Sequence, residues 1–265
     1  MDSHTSYLKI ENISKHFPTP GGCLQVLEKI NLEIKESEFV CIVGPSGCGK
    51  TTLLNIIANL ETASTGNILY RGKPLYSTGP ERLVIFQELG LFPWLTVQGN
   101  VEFGLKVKNI PWLQRKKIVD EYLRMVNLVK FKNFFIHELS GGMKQRVALA
   151  RALVMDPEIL LMDEPFAALD AQTRDLLHQE LQKIWSQTKK TILFVTHNVR
   201  EAVCLGDRVI VFGAQPASIK ASFDIKLPRP RQIESPGLID VVRPIVEKLK
   251  PEIGKITKIN HEENN

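Results

Sequence analysis

Gly44-Pro45-Ser46-Gly47-Cys48-Gly49-Lys50-Thr51 fits the phosphate-binding pattern G-x-x-x-x-G-K-[S/T] at every fixed position. Phe39-Val40-Cys41-Ile42-Val43 before it reads as a buried strand, and Thr52-Leu53-Leu54-Asn55-Ile56-Ile57-Ala58 after it reads as a helix. An ordinary Gly-rich turn has no need of that setting. The glycines let successive backbone N–H groups converge on one anion at the positive end of the helix dipole. In such a loop Lys50 reaches the β- and γ-phosphates and the Thr51 hydroxyl binds Mg²⁺.

The 265 residues suffice for one large domain or two small ones. A hydrophobic share of 43% and a charged share of 24% are ordinary for a water-soluble globular chain. The longest apolar runs, such as Ile159-Leu160-Leu161-Met162, are strand-sized and far short of the ~20 residues of a spanning helix. No secretory signal is visible at Met1–Ser6. The four cysteines (Cys23, Cys41, Cys48, Cys204) lack paired spacing, which fits a reduced cytosolic compartment rather than a zinc site or disulfide framework. If Cys48 lines the phosphate loop, its alkylation should block nucleotide binding. The formal net charge of +5 is a mild bias, and Arg115-Lys116-Lys117 reads as a solvated helix face, so no nucleic-acid partner is expected.

Along the chain, residues 7–14, 24–27 and 30–34 read as strands of a small antiparallel layer, with a loop at 18–22. Phe17 stands between the first strand and that loop, where it is either a half-buried loop aromatic or a ring that stacks on a purine. Strands follow at 67–71 and 82–86, the latter ending at Gln87, where an α/β protein places ligand contacts. Leu89-Gly90-Leu91-Phe92-Pro93-Trp94-Leu95 makes a poor strand and a poor helix; inward packing and a partly exposed docking surface are both open. Helices are expected at 97–107, 114–126 and 141–154, the last capped by Ser140, with Lys144, Arg146 and Arg151 toward solvent or a ligand. A strand at 159–162 leads into Asp163-Glu164-Pro165, Asp170 caps a helix at 171–187, and a strand at 191–195 ends at Thr196-His197. A short helix at 198–205 and a strand at 208–212 follow. Residues 227–231 read as a linker, 237–250 as a helix, and the end as a polar tail.

Strands separated by helices, with a phosphate loop after an early strand, imply a layered α/β nucleotide-binding fold. The strand before Asp163 ends in two acids. One can hold Mg²⁺ opposite Thr51, and the second, Glu164, is then free to act as general base on a water. His197 ends the next strand, where a neutral imidazole could sense a γ-phosphate, although a lone histidine is more often structural. Ser140-Gly141-Gly142 makes a second anion-binding helix terminus, and one nucleotide needs only one phosphate loop. That hints at contact with another molecule's nucleotide.

Leu139-Ser140-Gly141-Gly142-Met143-Lys144-Gln145-Arg146 resembles the signature motif of ATP-binding cassette (ABC) ATPases. Asp163-Glu164-Pro165, Ala168-Leu169-Asp170 and Thr196-His197 resemble that family's Walker B, D-loop and switch histidine in the family's order, and Phe86-Gln87 its Q-loop. The resemblance spans about Leu8 to Phe212. The run from Phe86 to Val101 is similar to that of the nitrate, sulfonate, taurine and bicarbonate importer group. Departures are Met143 in place of the commoner Gln, Gly99 in place of an acid, Asn198 in place of Asp, and Ala167 in place of Ser.

The resemblance implies an α/β P-loop NTPase (RecA-like) core with an antiparallel β-layer and an inserted α-helical subdomain at about 88–156. The ATPase domain would cover 1–227, and 228–265 would add a linker, a short helix and a polar tail. It implies ATP and Mg²⁺ as cofactors. Each ATP would touch Phe17, Gly44, Pro45, Ser46, Gly47, Cys48, Gly49, Lys50, Thr51, Thr52, Gln87 and Asp170, with Ser140, Gly141 and Gly142 coming from a second copy. Thr51, Gln87 and Asp163 would surround the metal, and Glu164 and His197 would be catalytic. The implied assembly is a homodimer, or a pair with a related ATPase chain, on separate transmembrane permease subunits at the cytoplasmic face of the inner membrane. A solute-binding protein would be an indirect partner, and Phe92 and Trp94 would lie near the permease docking site. The alternatives are a single-cassette ATPase not involved in transport and a non-hydrolysing regulatory module.

Overall fold

The structure, a computed structural model, describes residues 6–262. In chain order its elements are β1 (Leu8–Thr19), β2 (Gly22–Ile34), β3 (Phe39–Val43), α1 (Lys50–Ile57), β4 (Thr65–Tyr70), β5 (Lys73–Pro74), β6 (Arg82–Ile85), α2 (Val97–Val107), α3 (Trp112–Met125), α4 (Gly141–Leu153), β7 (Ile159–Asp163), α5 (Ala171–Thr188), β8 (Thr191–Thr196), α6 (Val199–Leu205), β9 (Arg208–Phe212), β10 (Ile219–Asp224) and α7 (Pro236–Glu262). They form two compact units, residues 1–79 with 189–265 and residues 80–188.

In the first unit the antiparallel layer runs β2-β1-β4-β5. The expected strands at 24–27 and 30–34 are one strand, and the expected loop at 18–22 is the tight turn of a hairpin in which Phe17 pairs with Leu24. A register shift keeps the pairing continuous, so the polar Glu28-Lys29 step, which read as a break, is absorbed inside the strand, with Lys29 at φ 44°. β3 is parallel to both β8 and β9, and β10 adds antiparallel to β9. β3 and β8 are buried at every residue, as apolar strands flanked on both sides must be.

The segment after Gly213 differs most from expectation. β10 has its side chains alternately half-buried and exposed, and as an edge strand it left only a faint pattern. The Leu227–Arg231 stretch is not a free linker. Arg229 pairs with Asp207, and Arg231 is buried, donating to the carbonyls of Val203, Gly206, Ile225 and Leu227. α7 packs on α6, β9 and β10 through Leu238, Val242, Ile245, Leu249 and the buried Glu252, whose carboxylate accepts from the Ala214 N–H at 2.9 Å. That helical spacing carries α7 past Pro244 and Pro251, beyond its expected end at Lys250.

In the second unit β6 and β7 pair in parallel, Arg82 to Ile85 against Ile159 to Met162. α2, α3 and α4 pack on one another through Val97, Val101, Leu105, Val119, Leu123, Val147, Ala150 and Leu153. α2 has the bounds its periodicity predicts. Arg151, expected toward solvent or a ligand, donates to the carbonyls of Leu89 and Gly90, each at 2.6 Å.

Among the four cysteines Cys23 alone is exposed. Cys48 points into the core with no exposure, which removes it as an alkylation target in the folded chain. Burial also pushes the Cys41 thiol well above its ordinary pKa. A maleimide is therefore expected to modify one thiol in native buffer, none after Cys23→Ser, and four in denaturant. Intact mass checks this, and native modification at Cys48 would contradict it.

Candidate active site

In the first unit the phosphate loop leaves β3 and enters α1. Gly47 and Gly49 have φ of 73° and 112°, the left-handed region that glycine adopts without strain. Gly49 also needs its small size: a Cβ there would lie 2.8 Å from Val26 Cγ1. Ser46 and Gly47 are exposed at the rim, while Gly44, Pro45, Cys48 and Lys50 are buried. The Lys50 ammonium turns back into its own loop, donating to the carbonyls of Gly44 at 2.9 Å and Pro45 at 2.8 Å. Thr51 is exposed and Thr52 half-buried on the first turn of α1. A left-handed backbone, a buried cation and a helix N-terminus around an open rim together fit a polyphosphate.

Register places His197 at the same sheet end. Val43 pairs with Thr196, so Gly44 and His197 follow that pair on adjacent parallel strands. His197 is exposed in the turn before α6. Its neighbours are tied down: the Thr196 hydroxyl accepts from the Asn198 N–H at 3.0 Å and donates to the buried Glu201 carboxylate. Asn198, a departure from the usual Asp, caps α6 through Oδ1, which accepts from the N–H groups of Arg200 and Glu201. The amide thus makes the capping bonds that a carboxylate would make. Phe17 is half-buried in β1, with the Lys15 ammonium 4.7 Å from its ring centre.

In the second unit β7 ends in Asp163, 7% exposed, so the carboxylate sits at the carboxyl end of a buried strand. Glu164 follows, half-buried, at φ 43°. A non-glycine residue held in the left-handed region costs on the order of 1 kcal/mol, and such strain collects at functional positions. Pro165 and Phe166 behind it are buried, and the Ala167 N–H donates to the Glu164 carbonyl at 3.1 Å.

Two helix N-termini of this unit carry the remaining motifs. The Ser140 hydroxyl caps α4, accepting from the Met143 N–H at 3.3 Å, and Ser140 and Gly141 are exposed. Asp170 accepts from the Thr173 N–H at 2.9 Å at the start of α5. That bond, with one from the Thr173 hydroxyl, holds the Asp170 carboxyl below the usual carboxylate range. Arg146 of α4 pairs with Glu180 of α5 at 2.9 Å.

The Gln87–Thr96 segment is an irregular loop built on two residues whose importance the linear pattern hides. Asn100 is fully buried and accepts from the Phe92 N–H at 2.8 Å. Its amide donates to the carbonyls of Phe92 and Thr96, each at 3.1 Å. Arg151 holds the loop's other end. A buried Asn inside an apolar helix face was the available signal for the first. Gln87 is exposed, two residues beyond the end of β6. Trp94 is 70% exposed, while Phe92 packs between Trp94 and Phe103 at ring separations of 5.4 and 4.6 Å. Gly99 is the third residue of α2 and donates its N–H to the Thr96 hydroxyl at 3.1 Å. The missing acid there therefore removes only the return bond of a capping box.

A profile of the ABC transporter family matches residues 27–167. The chain belongs to the ABC transporter family. It is 50% identical, over 95% of its length and 94% of the relative, to an uncharacterized ABC transporter ATP-binding protein of Methanocaldococcus jannaschii. It is 43% identical, over 87% and 84% of the two chains, to a bicarbonate transport ATP-binding protein of Synechococcus elongatus. Relatives 39% and 42% identical are a nitrate import and an aliphatic sulfonates import ATP-binding protein, from Synechococcus elongatus and Bacillus cereus. The dimeric structure of an ATP-binding cassette in a post-hydrolysis state, bound to ADP and Pi, superposes with a TM-score of 0.73 at 33% identity. It covers 83% of this chain and all of that one. The chain is thus an ABC ATPase with the α/β fold of the P-loop NTPases.

Proposed function

We propose that this ABC ATPase is the nucleotide-hydrolysing subunit of an importer for a small oxyanion such as nitrate, bicarbonate, a sulfonate or taurine. The observation that carries the ATPase reading is the phosphate loop, with its left-handed glycines and the buried Lys50 ammonium ahead of α1. The import reading is supported by relatives named for bicarbonate, nitrate and sulfonates. No helix among the described residues is long and apolar enough to cross a membrane. In this reading, which the relatives named as transport and import ATP-binding proteins support, the solute path belongs to separate permease subunits and this chain sits at their cytoplasmic face.

In this reading the loop from Gly44 to Thr52 binds the ATP phosphates and Phe17 stacks on the base. Thr51, Gln87 and Asp163 hold Mg²⁺, which neutralises phosphate charge when bound. The buried, strand-end position of the Asp163 carboxylate and the exposed Thr51 hydroxyl fit that donor set. Glu164 takes a proton from the water whose oxygen attacks the γ-phosphorus, while the bond to the ADP oxygen breaks. His197 contacts the γ-phosphate. Two copies pair head to tail, so that Ser140, Gly141 and Gly142 of one meet the ATP of the other, with Asp170 at the seam. Closure on ATP and reopening after hydrolysis drive the permease.

A steady-state ATPase assay on the purified chain, with co-purification of a membrane subunit, tests the whole reading. Absence of ATP turnover sinks the enzyme; absence of a membrane partner sinks the importer. Within it, Trp94 supplies the apolar docking contact and Phe92 supports the loop from behind. Replacing both with Ala is expected to lower recovery of the permease complex about tenfold or more, with the free subunit's ATPase rate unchanged. Undiminished recovery would refute the docking role.

A further inference from the structure

Gly142 has no conformational reason to be glycine. It lies in the first turn of α4, outside the left-handed region, where alanine is favoured over glycine by about 1 kcal/mol. What excludes a side chain is space. A Cβ on Gly142 would lie 2.5 Å from Cγ2 of Thr173, and the next nearest atom, Thr173 Cβ, is 4.0 Å away. A Cβ on Gly141 would lie 3.1 Å from Cδ2 of Leu169. Both glycines of the signature turn are therefore pressed against the D-loop and the first turn of α5.

Thr173 cannot swing its methyl aside freely. Its N–H and its hydroxyl both bond the Asp170 carboxylate, which sets its rotamer, and a β-branched side chain in a helix is stiff. The Arg146–Glu180 pair joins α4 to α5 further along.

We infer that Thr173 is a positioning residue that joins the D-loop to the signature turn, and that its methyl group holds position 142 to glycine. A displacement of Asp170 is then passed through Thr173 to the backbone N–H groups at Gly141 and Gly142. The inference rests on the reading of Ser140–Gly142 as the cap on a second copy's nucleotide.

The test uses the full chain carrying Glu164→Gln, with ATP-dependent dimerisation followed by sedimentation and thermal unfolding followed without nucleotide. Gly142→Ala is expected to raise the dimer dissociation constant about tenfold or more and to lower Tm. Adding Thr173→Ser, which deletes Cγ2 and keeps the hydroxyl, is expected to restore both toward the parent. Adding Thr173→Val, which keeps the methyl, restores neither. A neutral Gly142→Ala, a Ser double variant no better than the single, or equal rescue by Val would each overturn the inference. If the parent itself forms no dimer in ATP, the capping reading fails. The Tm pattern still decides the inference, because the clash lies within one chain. If Gly142→Ala is insoluble, recovery of soluble protein by Ser and not by Val is the same readout, and failure of both overturns it.

Discussion

Glu164→Gln is expected to keep ATP binding and to lower steady-state hydrolysis by about 10²–10⁴-fold, the usual cost of removing a general base. Gln matches Glu in shape and leaves the strained backbone at φ 43° intact, so the change removes proton acceptance and little else. The buried Pro165 and Phe166 behind it hold that backbone in place. The phosphate loop is untouched, so the nucleotide dissociation constant should stay within about threefold of the parent, less than 1 kcal/mol. Trapped ATP-bound dimers should accumulate, visible by sedimentation. Turnover near the parent rate would remove Glu164 from the chemistry. Lost ATP binding would instead mean that the left-handed turn had collapsed.

Arg231→Met is expected to cost about 3–5 kcal/mol of stability, from buried carbonyls left unpaired at about 1–3 kcal/mol each, a drop in Tm of about 6–20 °C for a chain of this size. The guanidinium is buried and donates to four carbonyls, of Val203, Gly206, Ile225 and Leu227. Met fills much of the space but leaves those acceptors desolvated. Burial first, and the nearby Arg229 charge second, push the Arg231 pKa down to about 10, so the group remains charged at neutral pH. The sign follows: folding disfavours the charged form of this arginine only relative to its own neutral form, so stability would rise only above about pH 10, where the folded state loses the proton before the unfolded state does. Between pH 6 and 9 this arginine should therefore give no slope in Tm. Arg231→Lys should recover only part of the loss, since one ammonium cannot span four carbonyls. A Tm within about 2 °C of the parent for Arg231→Met would show that the four carbonyl bonds of Arg231 do not hold the fold.

Elements whose signals are local were legible in the chain. The strand–loop–helix around Lys50, the helix at Val97–Val107 and the strand at Arg208–Phe212 need only nearest-neighbour periodicity and caps. The same holds for Asp170 and Ser140 as helix caps. What was misread depended on distant partners. Residues 24–34 form one strand because β1 pairs along its whole length. β10 exists because β9 offers an edge, and Arg229 and Arg231, polar and flanked by prolines, read as a linker until Asp207 and the end of α6 receive them. Cys48 read as a reactive loop thiol because burial is not written in a motif.

By itself the sequence determined the class of chemistry. An ordered set of motifs from Phe17 to His197 can be recognised without coordinates, because phosphate binding and proton transfer demand particular residue types at particular spacings. Tertiary structure alone decided which residues hold those motifs in position. Asn100 and Arg151 secure the loop of Gln87 to Trp94, Arg231 closes α6 behind His197, and Thr173 leaves no space for a side chain at Gly142. Asn100 bonds within its own loop and helix, but Arg151 reaches Leu89 and Gly90, Arg231 reaches Val203 and Gly206, and Thr173 meets Gly142, all tens of residues away in the chain. Packing and hydrogen bonding act through space, so no short window of sequence contains both halves of those distant contacts.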